Sequence, residues 1–188
     1  MIAGKNDTKR QIQDVAERLI IQGGYNAFSF RDISEEIGIK SASVHYHFPT
    51  KASLTSALLA RYTLLFSEQL PNPNDDAVNA SLLLNGFIDG FKAKVVDQRN
   101  MSLCTMLTAD KHTLPEEVSA ELAAFYNVKL AWLTQVFMRL EKVTEDQALV
   151  LACQLLASLH GASVLVQATG NAEFFESAVS YWRMAYVK

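Results

Sequence analysis

The chain has 188 residues, 49% of them apolar and 20% charged, with 8 Gly, 4 Pro and 2 Cys. That length can bury a real core, and the apolar fraction argues against disorder. With 17 Lys and Arg against 20 Asp and Glu, the formal charge is −3, so a nucleic acid would have to be met by a local patch.

Gly and Pro are sparse and apolar residues recur at helical spacing, which predicts an all-α chain of about nine helices. In the first helix Ile12, Val15, Ala16, Leu19 and Ile20 form one stripe, Asp7 or Thr8 caps the start and Gly23-Gly24 stops it. Ser29 opens a short second helix with Asp32 at capping-box spacing. Gly38-Ile39-Lys40 makes a tight turn, and Ser41 caps a third helix running to about His47, with Phe48 closing it. Thr50 caps a fourth helix, on which Leu54, Ala57, Leu58, Arg61, Tyr62 and Leu65 share a face, and Pro71-Asn72-Pro73-Asn74 ends it. Longer helical patterns cover Asp76–Gln98, Pro115–Leu140, Thr144–Ala168 and Asn171–Tyr186, with an irregular stretch at Met101–Leu114. Pro115, Glu116 and Glu117 suit the first turn of their helix.

The informative stretch is Ser29 to Leu54. Two short helices bent at Gly38 match a helix-turn-helix, whose second helix can enter a major groove. Ile33, Ile37, Ile39, Val44 and Phe48 pin the pair together and leave Lys40, Ser41, Ser43, His45, Tyr46 and His47 outward. Residues 1–50 carry six bases and six acids, yet no carboxylate occurs from Ile37 through Ser67, while Lys40, Lys51 and Arg61 do. A polyanion needs such a face, because phosphate neutralisation supplies much of the affinity. His45 and His47 are not a metal pair, since i and i+2 lie about 200° apart on a helix. No metal or cofactor motif is present, and none is expected.

The run Gly38-Ile39-Lys40-Ser41-Ala42-Ser43-Val44-His45-Tyr46-His47-Phe48-Pro49-Thr50-Lys51, preceded by Phe28-Ser29-Phe30-Arg31-Asp32-Ile33, resembles the DNA-binding signature of TetR/AcrR-type transcriptional regulators. The resemblance covers about the first third of the chain. It implies that Ser29 and Arg31 meet backbone or base edges, that Ser41, Ala42, Ser43 and His45 face bases, and that Tyr46 and His47 touch phosphates, with Lys40 the one long donor nearby. Lys51 would bind phosphate at the head of the fourth helix. The tyrosine that the family often has at the place of His45 is moved here to Tyr46, and the second helix of the motif has no Arg. Specificity is therefore expected to lean on short contacts and DNA shape.

From Ala148 to Ala172 there is no Asp, Glu, Lys or Arg. The span is long enough to cross a bilayer, but Gln154, Ser158, His160, Ser163 and Gln167 interrupt it and no basic cluster flanks it. Burial by its own core and by a second copy fits better. Ala157, Ser158, Gly161 and Ala162 permit close helix approach, so with Phe174, Phe175, Val179, Trp182 and Tyr186 they suggest a four-helix dimer interface. The resemblance adds a ligand cavity between helices, for which Cys104, Met106, Trp132 and His160 are the candidates. With no Lys or Arg expected in the apolar helices near them, an apolar or weakly polar effector is favoured.

The two cysteines form no CxxC pair and Met1–Asp7 lacks the apolar run of a signal peptide, so a reducing, cytoplasmic setting is expected. The reading is a DNA-binding regulator, most simply a repressor: a helix-turn-helix domain at 1–50 and a ligand-binding and dimerisation domain at 51–188. As a homodimer it binds a pseudo-palindromic operator and leaves it when a small molecule binds. It is not read as an enzyme or a membrane protein. The alternatives are a small thiol- or histidine-dependent helical enzyme and a helical adaptor that does not bind DNA.

Overall fold

In a computed structural model, residues 2–98 and 101–186 are described, with side chains from Asp7 onward. Among these residues there are nine α-helices and no strand. They are α1 (Ile2–Gly23), α2 (Phe30–Ile37), α3 (Ser41–His47), α4 (Lys51–Gln69), α5 (Ala80–Lys92), α6 (Leu103–Ala109), α7 (Glu116–Glu141), α8 (Glu145–Thr169) and α9 (Glu173–Tyr186).

Most helix ends lie where local chemistry puts them. The Ser29 hydroxyl accepts from the Asp32 amide while the Asp32 carboxylate takes the Ser29 amide and hydroxyl, a reciprocal cap that starts α2. Accepting both bonds holds the Asp32 carboxyl below its ordinary pKa. Thr50 Oγ1 accepts from the Ser53 amide at 2.9 Å, and Ser53 Oγ accepts from the Thr50 amide at 3.1 Å, which starts α4. Thr144 and Gln147 repeat the device on α8.

Four boundaries differ from expectation. Helix α1 begins at Ile2, so Asp7 and Thr8 lie within it rather than capping it. Lys40 occupies the cap position of α3 without a side-chain bond, and Ser41 is the first helical residue. Helix α5 starts at Ala80, where Asn79 Oδ1 accepts from the Ser81 amide at 2.8 Å, and it relaxes into a π-helical turn at Ala93–Asp97. The stretch expected to be irregular contains α6 and a 3-10 turn at Lys111–Thr113.

The chain packs as two compact units that fall along other lines than the functional division at residue 50. The first comprises Met1–Leu65 and Leu103–Phe125. It buries Ile12, Ala16 and Ile20 of α1, Ile33 and Val44 across the helix-turn-helix, and Leu54 and Leu58 of α4. The second comprises Phe66–Ser102 and Tyr126–Lys188. Its core runs through Leu84, Ile88, Leu133, Phe137, Leu155, Leu159, Phe175 and Trp182, and burying each large side chain contributes about 1.5–3 kcal/mol. Arg139 donates to the carbonyls of Pro73 at 2.6 Å and Val78 at 2.7 Å, and the Trp132 indole donates to Pro71 O at 2.8 Å, so the Pro-rich loop is fixed to α7.

Among the described residues α8 alone is long and apolar enough to cross a bilayer. Its Ala148, Ala152, Leu155, Leu156, Leu159, Ala162, Ser163 and Val166 are buried in the second unit. Leu149, Val150, Val164 and Leu165 face outward instead.

Gly38 is left-handed (φ 73°) and its amide donates to Ser34 O, the geometry that turns the chain between α2 and α3. A Cβ there meets no atom within 4 Å, so backbone strain alone opposes a side chain. Gly38→Ala is expected to lower unfolding stability by about 1 kcal/mol without loss of helix content. Urea denaturation followed by circular dichroism measures both, and unchanged stability would contradict the turn geometry.

Candidate nucleic-acid interface

Helix α3 is seven residues long and held by one buried side chain, Val44, with Phe48 buried just beyond its end. Its other positions are what it can offer. Ser41, Ala42, His45 and Tyr46 are exposed, Ser43 and His47 are half-buried, and Tyr46 stands out at 70% exposure. Lys40, just before the helix, is exposed. A shallow concavity of about 370 Å³ is lined by Ile39, Lys40, Ala42, Ser43, Tyr46 and His47, joined by Thr8 from α1. Thr8 was missed as a site residue because its position in the sequence suggested only a helix cap. Its place beside α3 depends on tertiary packing. The His45 ring meets Phe30 edge-on at 4.7 Å, which sets the orientation of the imidazole.

The charges of this unit are sorted by pairing. Asp14 binds Arg61 at 2.6 Å, Glu17 lies 3.5 Å from the same guanidinium, Glu36 pairs with Arg18, and Glu35 holds Arg31 at 2.7 Å. Asp32 is engaged in its helix cap. Five of the six acids in the first 50 residues thus have partners, four on α1, α2 or α4 and Asp32 in the cap residue Ser29. None of the six lies on α3.

Ser29 and Arg31, the two expected contacts from α2, are exposed, with Ser29 in the cap and Arg31 on Glu35. Lys51 is turned inward. Its ammonium donates to Phe28 O at 2.5 Å and stands 4.1 Å from the Phe28 ring and 4.9 Å from the Tyr25 ring. Burial pushes it below the ordinary lysine pKa, with Asp32 opposing the shift. Asp110 Oδ2 in turn accepts from the Tyr25 amide at 2.6 Å.

The four candidate effector residues divide between the units. Cys104 (buried) and Met106 (half-buried) lie on α6 in the first, while Trp132 (buried) and His160 (half-buried) lie in the second. The premise that no Lys or Arg lies near Trp132 and His160 is corrected by Lys129. It is 4% exposed, and its Nζ lies 5.1 Å from the Phe91 ring, 5.5 Å from Phe66 and 5.8 Å from Tyr126. Phe91 and Tyr126 also contact the His160 ring, at 5.2 and 5.4 Å. The signal was present in the sequence: Leu122, Phe125, Lys129, Leu133 and Val136 follow helical spacing, which puts Lys129 on the inward face of α7.

A helix-turn-helix presenting a carboxylate-free second helix defines the class, a DNA-binding regulator of helical architecture. The model for bacterial regulatory proteins of the tetR family matches residues 12–58. A TetR transcriptional regulator from Legionella pneumophila is 30% identical, with 95% of this chain and 96% of that one covered and a TM-score of 0.86. The HTH-type transcriptional repressor KstR2 of Rhodococcus jostii (strain RHA1) is 33% identical over 57 residues, and the match spans 30% of this chain and 28% of the repressor. AibR, solved with isovaleryl coenzyme A and operator DNA, shares the fold at 22% identity with a TM-score of 0.68, over 96% of this chain and 98% of its own. The chain belongs to the TetR family of transcriptional regulators.

Burial, reinforced by the Lys129 charge, lowers the His160 pKa from 6.5 to about 4. Between those values the unfolded chain binds more protons than the native one, so stability rises with pH across the window and is complete above it. Acidification from pH 6.5 to 4 is expected to cost up to about 3 kcal/mol through this residue. Denaturation of wild type and His160→Gln as a function of pH measures it, and an equally steep acid limb in the variant would refute the assignment.

Proposed function

We propose that the protein is a ligand-released transcriptional repressor that binds a pseudo-palindromic operator as a homodimer. The observation that carries this reading is the exposed, acid-free surface of α3 beside Lys40. Ser41, Ala42, Ser43 and His45 read base edges and thymine methyls, Tyr46 and His47 reach phosphates, and Lys40 supplies the long cationic contact. Ser29 and Arg31 approach the backbone from α2, and the head of α4 offers its amides to a phosphate. Lys51 reaches that phosphate only by leaving Phe28, so its first role is to hold the domain together. Residues 1–50 form the DNA-binding part and 51–188 the ligand-binding and dimerisation part.

Dimerisation is supported by the outward apolar residues of α8 and α9. Leu149, Val150, Val164, Leu165, Tyr181 and Met184 are between 42% and 76% exposed, a patch that a second copy would cover. A dimer places two recognition helices about 34–36 Å apart on successive major grooves. The effector is a small molecule held by the helical body, as AibR is seen with isovaleryl coenzyme A. Release follows when the ligand favours a conformer with a different helix spacing. A route for this coupling lies in the first unit, where Asp110, next to α6, holds the Tyr25 amide, and Tyr25 carries Lys51. The setting is the cytoplasm, and no catalytic role is assigned.

Selecting bound sites from random duplex DNA tests the reading, since a repressor enriches an inverted repeat and an adaptor enriches nothing. On the selected duplex, Lys40→Ala is expected to reduce the salt dependence of binding by about one unit and Tyr46→Ala to weaken binding at least fivefold. Lys51→Met is expected to lower thermal stability and leave the salt slope unchanged. Absence of any sequence preference over competitor DNA would overturn the proposal.

A further inference from the structure

The unit that carries the DNA-facing helices is completed by a segment far along the chain, Leu103–Phe125. The two parts meet at the loop between α1 and α2. Helix α1 ends at Gly24, whose amide donates to Ile20 O at 2.8 Å and whose backbone (φ 83°, ψ −178°) suits only glycine. The next amide, that of Tyr25, donates to Asp110 Oδ2 at 2.6 Å. One residue further, Asn26 Nδ2 donates to Thr113 Oγ1 at 3.3 Å. Thr113 is itself tied to Asp110, because its amide and hydroxyl donate to Asp110 O at 2.8 and 3.0 Å. Gly24 and Tyr25 are buried, so the carboxylate takes the place of water for the Tyr25 amide.

We propose that Asp110 is a positioning residue for operator recognition, holding the α1–α2 loop in the arrangement that presents α2 and α3 to DNA. The assignment rests on the reading of α3 as the DNA-facing helix. It adds a determinant outside residues 12–58, the stretch that matches the family model. Each step from the carboxylate to the DNA face is a contact. Asp110 fixes the Tyr25 amide, and the Tyr25 ring lies 4.9 Å from the Lys51 ammonium. Lys51 donates to Phe28 O, and Phe28 precedes Ser29, the cap of α2. On the first residue of α2, the Phe30 ring meets His45 of α3 edge-on at 4.7 Å. A shift of Phe28–Phe30 therefore reaches a side chain that reads bases. Asp110 acts through Tyr25 rather than on DNA, since a carboxylate repels phosphate. Without the acceptor, a buried N–H is left unpaired, which costs more than the bond itself contributes, and the loop moves to rehydrate it.

The test uses the full-length protein and the duplex enriched by wild type, with the folded fraction fixed by circular dichroism. Asp110→Ala is expected to weaken that duplex at least fivefold, to change a scrambled duplex less than twofold and to leave the salt slope unaltered. Asp110→Asn keeps an acceptor oxygen and is expected to restore binding to within twofold of wild type. Asn26→Ala combined with Thr113→Ala, at two exposed positions, is expected to weaken the duplex two- to threefold, and it reports on the same loop even if Asp110→Ala does not fold. Wild-type affinity in the folded molecules of Asp110→Ala, or in the double variant, would overturn the proposal. So would an Asn variant as weak as the Ala variant, or tighter binding of every duplex by both, the signature of a carboxylate acting only by its charge. In each of those outcomes wild type still prefers its duplex, so the repressor reading stands. A wild type with no preferred duplex sinks that reading and this inference with it.

Discussion

The ammonium of Lys51 is the pin on which the DNA-facing part depends. It closes the entry of α4 onto the carbonyl of Phe28, the residue before the cap of α2, and lies over the Phe28 and Tyr25 rings. A lysine in that position gives up part of its hydration, which lowers its pKa, and recovers it through a carbonyl and two π faces. The consequence is geometric: the start of α2, the end of α1 and the head of α4 are drawn to one point. Asp110 adds the segment after α6 through the Tyr25 amide. A Cβ on Gly24 would come within 2.5 Å of the same carboxylate oxygen, so the close approach there depends on glycine.

Charge sorting follows from this compactness. A domain with equal numbers of acids and bases is a poor partner for DNA only if the two signs are mixed on its surface. Here Arg18, Arg31 and Arg61 take up Glu36, Glu35, Asp14 and Glu17 on α1, α2 and α4. Such exposed pairs add little to stability. Their effect is on the potential, because carboxylates beside guanidinium groups project less negative field toward α3, a helix without an acid that Lys40 caps.

Much of this was legible in the sequence because it rests on local chemistry. The Ser29–Asp32 cap, the left-handed Gly38, the Thr50 cap and the Pro-rich break each depend on a few consecutive residues. Helix α6 was not legible. Seven residues make fewer than two turns, too short for a periodic signal, and α6 owes its existence to burying Leu103, Cys104 and Leu107 in the first unit. Thr8 and the inward turn of Lys51 were hidden for a related reason, since both are set by residues distant in the chain. Lys129 could have been found. A charged residue on the apolar stripe of a long helix is a departure from pattern that the spacing alone displays.

In the second unit Lys129 and His160 lie against the same two rings, Phe91 and Tyr126. Burial first, and the Lys129 charge second, oppose protonation of His160 and lower its pKa to about 4. The imidazole is therefore neutral at physiological pH. An effector moves a regulator only by its differential affinity for two conformers, and a factor of 10⁴, about 5.5 kcal/mol, is needed to invert a 99:1 population. Packing can supply such a difference, because a gap of about 0.5–1 Å already forfeits a quarter to a half of a van der Waals contact, so a ligand fitted between helices in one arrangement loses contacts in the other.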